Sequence, residues 1–280
     1  MRLGGTTLVA ALLATSDGIL MQQQQLPYRR DASHWHALVM PEHKLAFCYF
    51  QKVASEHFAP LFNTVNLVED PKDQDGSTAR RQEVQWSEIS KEHGWKFAFF
   101  TRDPLERYLS AFLSKCLPTG SNLHPVENGL RCYGPMRSAP VSQEEKIQMF
   151  EERTKMDAER GLPNNDHWLS QHTILTRFCD KDKFDPEKVD FIGRMTPDTQ
   201  SVNDQVQAML RGLTNLTGIA ELTAAHFPVG ALALVQCPTV HCTASTRVFR
   251  SFYRKQETVD IVKKLYADDY ALMHIPPSEL

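Results

Sequence analysis

The sequence predicts an α/β fold: a P-loop-like, doubly wound and largely parallel sheet flanked by helices. Two observations carry that expectation. A continuous apolar run followed by a polar loop and a helical pattern occurs twice, at Leu45–Phe50 and at Trp95–Phe100. A third strand-like run, Val189–Gly193, again precedes an amphipathic helical pattern. Strands that alternate with helices build parallel sheets, and apolar runs without alternation suit strands buried on both faces.

The elements follow in order from about His34. Leu45-Ala46-Phe47-Cys48-Tyr49-Phe50 reads as a buried strand, and a helix is expected from about Ser55 to Phe62. The polar stretch Glu69–Gly76 separates this unit from the second strand, Trp95–Phe100, after which Pro104 opens a helix at the position where its missing N–H costs nothing. In that helix Leu105, Leu109 and Phe112 share one face, which leaves Glu106, Arg107 and Ser110 on others. Leu117–Pro140 is rich in Pro and Gly and has no periodicity, so it reads as a long loop, of the kind that often carries function. Ser142 and Glu145 form a capping-box signature ahead of a helix through Ile147 and Phe150. Val202, Val206, Leu210 and Leu213 lie at helical spacing after the third strand, and Gln256–Met273 reads as a C-terminal helix. In such folds ligands bind beyond the carboxyl ends of the strands.

At 280 residues the chain is long enough for one sizeable core. A hydrophobic fraction of 41% with 23% charged residues is that of an ordinary globule. A formal net charge of −3 argues against nucleic-acid binding through bulk electrostatics and leaves room for a local basic cleft. At the N-terminus Arg2 precedes an apolar core from Leu8 to Leu13 and the small residues Ala14 and Ser16. Residues 1–20 therefore read as a signal peptide or short signal anchor, since a spanning helix needs roughly 20 apolar residues; a frayed helix is the alternative. Residues 21–33, with the run Gln22–Gln25, read as a linker.

Six cysteines are compatible with disulfides without demanding them. Cys116 with Cys132, and Cys237 with Cys242, are spaced for local bridges, while Cys48 and Cys179 are expected to be unpaired core residues. A zinc reading of Cys237, His241 and Cys242 lacks the second cysteine pair of a structural site. Asn215-Leu216-Thr217 is a glycosylation sequon if the chain enters the secretory pathway.

Two loops carry the candidate chemistry. Gln51-Lys52-Val53-Ala54-Ser55 leaves a buried strand and enters a helix, where unpaired N–H groups and the dipole favour an anion. Lys52 adds a positive charge, and the Ser55 hydroxyl can cap the helix or donate to a phosphate. Arg102, at the end of the second strand, can meet a phosphate bidentately, and Ser110 lies two helical turns further on. A solvated lysine and an Arg102–Asp103 surface pair are the bland alternatives. No Walker loop is present, which disfavours P-loop NTPase and kinase-like chemistry.

These residues carry a resemblance. FCYFQKVAS resembles the 5′-phosphosulfate loop of the Golgi carbohydrate sulfotransferases, the family that includes chondroitin 4-sulfotransferase-like and HNK-1 sulfotransferase-like enzymes. FAFFTRDPLERYLSAF resembles that family's 3′-phosphate segment. Asp166-His167-Trp168, Phe191-Ile192-Gly193-Arg194 and Leu265-Tyr266-Ala267-Asp268-Asp269-Tyr270 are similar to three later family elements, in the same order. The resemblance departs from the family at Gln51, where proline is usual, at Thr196, where a glutamate is usual nearby, and in a cysteine-rich stretch reduced to Cys179.

The resemblance implies the sulfotransferase fold for residues 34–280 and transfer of a sulfuryl group from PAPS (3′-phosphoadenosine 5′-phosphosulfate) to a hydroxyl of a glycan or other acceptor, with PAP as product. It implies a donor held by Gln51, Lys52, Val53, Ala54 and Ser55 at its 5′ end and by Arg102 and Ser110 at its 3′ phosphate. Lys52 would stabilise the leaving phosphate and His167 would act as general base, with His57, His93 and His172 as competitors. No metal and no nucleic acid are implied. The expected location is the Golgi lumen or membrane, with membrane association through the N-terminus. A catalytically silent PAP- or glycan-binding homologue is the alternative, motivated by Gln51 and the altered acceptor-side segment.

Overall fold

The computed structural model describes residues 35–117, 142–230 and 245–276. The expectations for the N-terminal segment, for residues 118–140 and for Cys237, His241 and Cys242 lie outside them. Every described residue belongs to one compact unit, Ser33–Leu280.

The described strands form one four-stranded sheet in the order β1 (Ala37–Met40), β2 (Leu45–Cys48), β3 (Lys96–Arg102), β4 (Phe191–Met195). β2, β3 and β4 are parallel, and β1 runs antiparallel to β2 across the short turn Pro41–His43. The sheet is therefore largely parallel, as expected, with one antiparallel strand at its edge. Phe97, Ala98, Phe99 and Phe100 of β3 are all buried, which is why this segment reads as an unbroken apolar run. At the crossing of β3 and β4 Gly193 lies against Phe100: a Cβ there would come within 2.3 Å of the ring. Only glycine lets the two strands pair with that ring between the layers.

α1 (Ser55–Val65) follows β2, and α2 (Pro104–Lys115) follows β3. α2 begins where the sequence places it. The Asp103 carboxylate accepts hydrogen bonds from the backbone N–H groups of Leu105 (2.8 Å) and Glu106 (3.4 Å), and Pro104 takes the first turn. Asp103 is buried and caps the helix instead of pairing with Arg102 on the surface. All twelve residues of α2 are buried, including its polar faces. Its apolar residues, Tyr108 and Phe112 among them, belong to a second core cluster with Phe150, Trp168, Phe252 and Tyr266.

α3 (Gln143–Arg160) carries the expected capping box: Ser142 Oγ accepts from Glu145 N (3.1 Å), and Glu145 reaches back to Ser142 N (2.8 Å). α4 (Gln171–Ile174) continues into a π-helical stretch, Leu175–Asp180. α5 (Thr199–Leu213) and α6 (Ile219–His226) follow β4. α7 (Ser245–Phe252), α8 (Gln256–Leu265) and α9 (Ala267–Leu272) complete the described chain. The single C-terminal helix expected over Gln256–Met273 is thus two helices with a break at Tyr266. That residue is buried and donates its hydroxyl to the Trp168 carbonyl at 2.6 Å, a tertiary bond that periodicity does not reveal.

Cys48 and Cys179 are not unpaired: they form a disulfide that ties the end of β2 to the π-helical stretch. Both were apolar neighbours in the sequence reading, and burial alone does not distinguish a packed thiol from a bridged one. Cys116 is also disulfide-bonded. Among the described residues no helix is long and apolar enough to cross a membrane.

Candidate active site

The site lies at the carboxyl ends of β2 and β3. Chain direction after β2 is set by Lys52 and Ala54, both in the left-handed region with φ of 67° and 55°. Two side chains are strained there, and arginines from α2 and β3 hold the backbone in place. Arg107, fully buried, donates from Nε to the Gln51 carbonyl (2.8 Å) and from its terminal nitrogens to the carbonyls of Leu169 (2.7 Å) and Asp166 (2.9 Å). Arg102 Nη1 donates to the Lys52 carbonyl (3.1 Å). Its other groups reach Glu106 Oε2 (3.2 Å) and Ser245 Oγ at the start of α7 (3.0 Å). Arg102 is itself fixed by Gln171, which accepts from its N–H and donates to its carbonyl, both at 2.9 Å.

Ser55 opens α1 as its first helical residue. Ala54 occupies the cap position, with no side-chain cap, and the Ser55 hydroxyl donates to Gln51 Oε1 at 3.3 Å. Lys52 Nζ donates to Ser114 Oγ at 2.6 Å. Burial, and repulsion from Lys115, Arg102 and Arg107 that outweighs the attraction of Glu56, bring the Lys52 ammonium down to a pKa of about 7. Four cationic side chains therefore share one partly dry volume. Ser110 is buried on α2, one turn before Ser114.

His167 closes the same volume. Its Nδ1 lies 2.9 Å from Asp166 Oδ1 and 2.9 Å from Asn165 Oδ1. Burial lowers its pKa to about 4, and Lys115 and Lys52 add repulsion against the pull of Asp166. Asp166 is itself held well below the usual carboxylate range: burial would raise it, and hydrogen bonds from His167 and His36 outweigh that. The imidazoles of His57 and His93 are engaged elsewhere. His57 Nδ1 contacts the His226 carbonyl at 2.7 Å, and His93, exposed, contacts the Glu88 carbonyl at 2.9 Å. His172 donates its backbone N–H to Asp269 at 2.9 Å.

The structure thus brings together Gln51, Lys52, Ser55, Arg102, Ser110 and His167. Sequence reasoning missed the lining residues Ser114 and Lys115, although Ser114 stands four residues after Ser110, on the same helical face. It also missed Gln171 and Ser245, which mark themselves only through tertiary contact with Arg102. The closing Leu-Tyr-x-x-Asp-Tyr element turns out to be a support. Tyr266 holds Trp168, and buried Asp269 accepts from the N–H groups of Gln171 (3.0 Å) and His172 (2.9 Å). Among the described residues no group of three His, Cys, Asp or Glu side chains is placed to hold a metal ion.

A largely parallel α/β sheet with a crowded set of cations at its strand ends is an arrangement suited to an anionic ligand. The chain matches the sulfotransferase family over residues 35–274, and it belongs to that family. Sulfuryl transfer to an acceptor is accordingly its class of reaction. No curated protein and no solved structure matches it.

Proposed function

We propose that the chain transfers a sulfuryl group from PAPS to a hydroxyl of a carbohydrate acceptor. The observation that carries the donor assignment is the convergence of Lys52, Lys115, Arg102 and Arg107 around one buried loop, where burial, joined by repulsion from the other three cations, brings Lys52 to a pKa of about 7. Such a cluster is relieved by a polyanion. The loop N–H groups of Ala54 and Ser55 and the start of α1 would receive the 5′ phosphosulfate, while the Val53 N–H closes the turn onto the Phe50 carbonyl at 3.1 Å. Arg102 has five N–H donors, three of them engaged by described residues, so it retains donors for the 3′ phosphate beside Ser110. Lys52 supplies positive charge where the leaving phosphate oxygen develops negative charge, and His167 takes the acceptor proton.

The carbohydrate acceptor rests on the resemblance to Golgi carbohydrate sulfotransferases. A location in the secretory pathway is supported by the signal-like N-terminus and by the disulfides, which persist in oxidising compartments. The exposed sequon at Asn215 agrees with it. Titration calorimetry with PAP tests the donor site: wild type is expected to bind tightly, with tight binding lost in Arg102→Ala and Lys52→Ala. Turnover of PAPS on mixed glycans then tests transfer. No PAP binding by a folded wild-type protein would refute the assignment, and binding without transfer to any acceptor would mean a silent homologue.

A further inference from the structure

His36, Asp166 and His167 form a connected chain of side chains from the edge of the sheet into the site. The Asp166 carboxylate stands between the two imidazoles, with Oδ1 at 2.9 Å from His167 Nδ1 and Oδ2 at 3.6 Å from His36 Nε2. His36 is buried, its Nδ1 lies 3.0 Å from the Tyr49 carbonyl, and its ring stacks on Tyr49 and Phe178. The ring therefore has no room to turn away from Asp166.

The hydrogen-bond partners also fix which nitrogen of His167 bears the proton. Asn165 Oδ1 accepts from the His167 backbone N–H at 3.0 Å, so the atom facing Nδ1 is the amide oxygen and not its nitrogen. The second neighbour of Nδ1 is a carboxylate oxygen. With acceptors on both sides, Nδ1 carries the hydrogen and Nε2 carries the lone pair. Among the described residues Nε2 has no hydrogen-bond partner.

We propose that Asp166 is the positioning residue of the acceptor-activating base, holding His167 with Nε2 as the proton acceptor and stabilising the imidazolium formed in transfer, and that His36 holds Asp166 in register. This rests on the sulfotransferase reading above. In the step, the acceptor oxygen bonds to sulfur while its proton passes to His167 Nε2. The bond between sulfur and the bridging oxygen breaks, its electron pair stays on the 5′ phosphate, and His167 later returns the proton to water. A positive charge then appears on His167, facing Lys52 and Lys115, which oppose it, and Asp166, which favours it. Asp166 is in turn faced by His36, by Tyr49 and by Arg107. Without the carboxylate, protonating His167 between two lysines becomes harder, so transfer slows while donor binding stays.

The test is PAP calorimetry and steady-state transfer with Asp166→Asn, Asp166→Glu and His36→Phe, the last keeping the ring stacking. Asp166→Asn should bind PAP as wild type does and lose about 100-fold or more in kcat, the usual range for base assistance. Asp166→Glu should recover part of that loss, and His36→Phe should lose about tenfold, a step of the same kind acting at one remove. At saturating donor from pH 6 to 8, wild-type kcat should not follow His167, which is already neutral there. Asp166→Asn should instead rise with pH as hydroxide replaces the weakened base. A kcat within threefold of wild type in folded Asp166→Asn, or a loss with an unchanged pH profile, overturns the proposal. Should Asp166→Asn not fold, an unchanged kcat in His36→Phe together with no loss in Asp166→Glu overturns it equally. Failure of wild type to bind PAP is a separate result and strikes the donor assignment.

Discussion

Lys52 offers the sharpest quantitative consequence of the site. A lysine ordinarily keeps its proton to above pH 10, whereas burial and the neighbouring Lys115, Arg102 and Arg107 leave Lys52 half-protonated at about pH 7. The folded-state value is depressed, so the free protein loses this charge as pH rises through about 7. A bound phosphosulfate or phosphate beside Nζ favours the charged form and restores a high pKa in the complex. Above pH 7 binding must therefore recruit a proton, and PAP affinity should fall by about a factor of ten per pH unit. Between pH 7 and 9 the protonated fraction falls from a half to about a hundredth, so the loss should reach about 50-fold, or about 2.3 kcal/mol.

The ligand does not confuse the measurement above pH 7.5, because the second ionisation of a phosphate monoester lies near pH 6. Calorimetry at pH 8 in buffers of different ionisation enthalpy should show an uptake of close to one proton per PAP bound. Lys52→Arg keeps its charge throughout this range, so its affinity should be flat with pH. Lys52→Ala should be weak and equally flat. A wild-type affinity that does not change between pH 7.5 and 9, or an arginine variant with the same slope as wild type, would show that the charge on Lys52 is not what the ligand meets.

Two further predictions concern the frame that carries the site. Gly193→Ala drives a methyl group to 2.3 Å from the buried Phe100 ring, so it should cost at least about 1–3 kcal/mol and lower Tm by several degrees in a thermal melt. A melt indistinguishable from wild type would mean that β3 and β4 separate easily. Replacing Cys48 and Cys179 together by alanine opens a bridge across a sequence separation of 131, for which chain entropy gives about 5 kcal/mol, and urea unfolding should show most of that loss. An unchanged midpoint would refute the bridge.

Much of the sheet was legible because β2 and β3 are buried on both faces, and burial on both faces leaves an unbroken apolar run in the sequence. β4, with Ile192 exposed, was legible from its place ahead of the helical pattern of α5. β1 left a weaker trace. Ala37–Met40 is only four residues long, and its place is set by antiparallel pairing with β2. The helical pattern of α2 placed Glu106, Arg107 and Ser110 off its apolar face without showing what they meet; Glu106, Arg107, Ser110, Ser114 and Lys115 are all buried. They face the site and the loop above it, and a polar face turned toward an interior site has the same sequence pattern as one turned toward water. The disulfide between Cys48 and Cys179 was illegible for a different reason: its partners are brought together by the fold alone.

Gln51 shows how a departure at the centre of the motif can be absorbed. A proline before Lys52 would fix φ at that position and stiffen the turn. Glutamine removes that restraint, and the structure replaces it from outside the loop. Arg107 grips the Gln51 carbonyl, Arg102 grips the next carbonyl along, and Ser55 donates to the Gln51 side chain. Arg107 also binds the carbonyls of Asp166 and Leu169, so the anion loop and the segment that carries His167 hang from one guanidinium. Asp269 and Gln171 extend the same support from α9 to the backbone of Arg102. The cationic group proposed for the donor and the imidazole proposed for the acceptor are thereby set by shared hydrogen bonds, which is the condition for holding two reactants in line. Arg107, a buried arginine with all three nitrogens on backbone carbonyls, thus shapes the site, and the proposed donor contacts fall to Arg102 and Lys52.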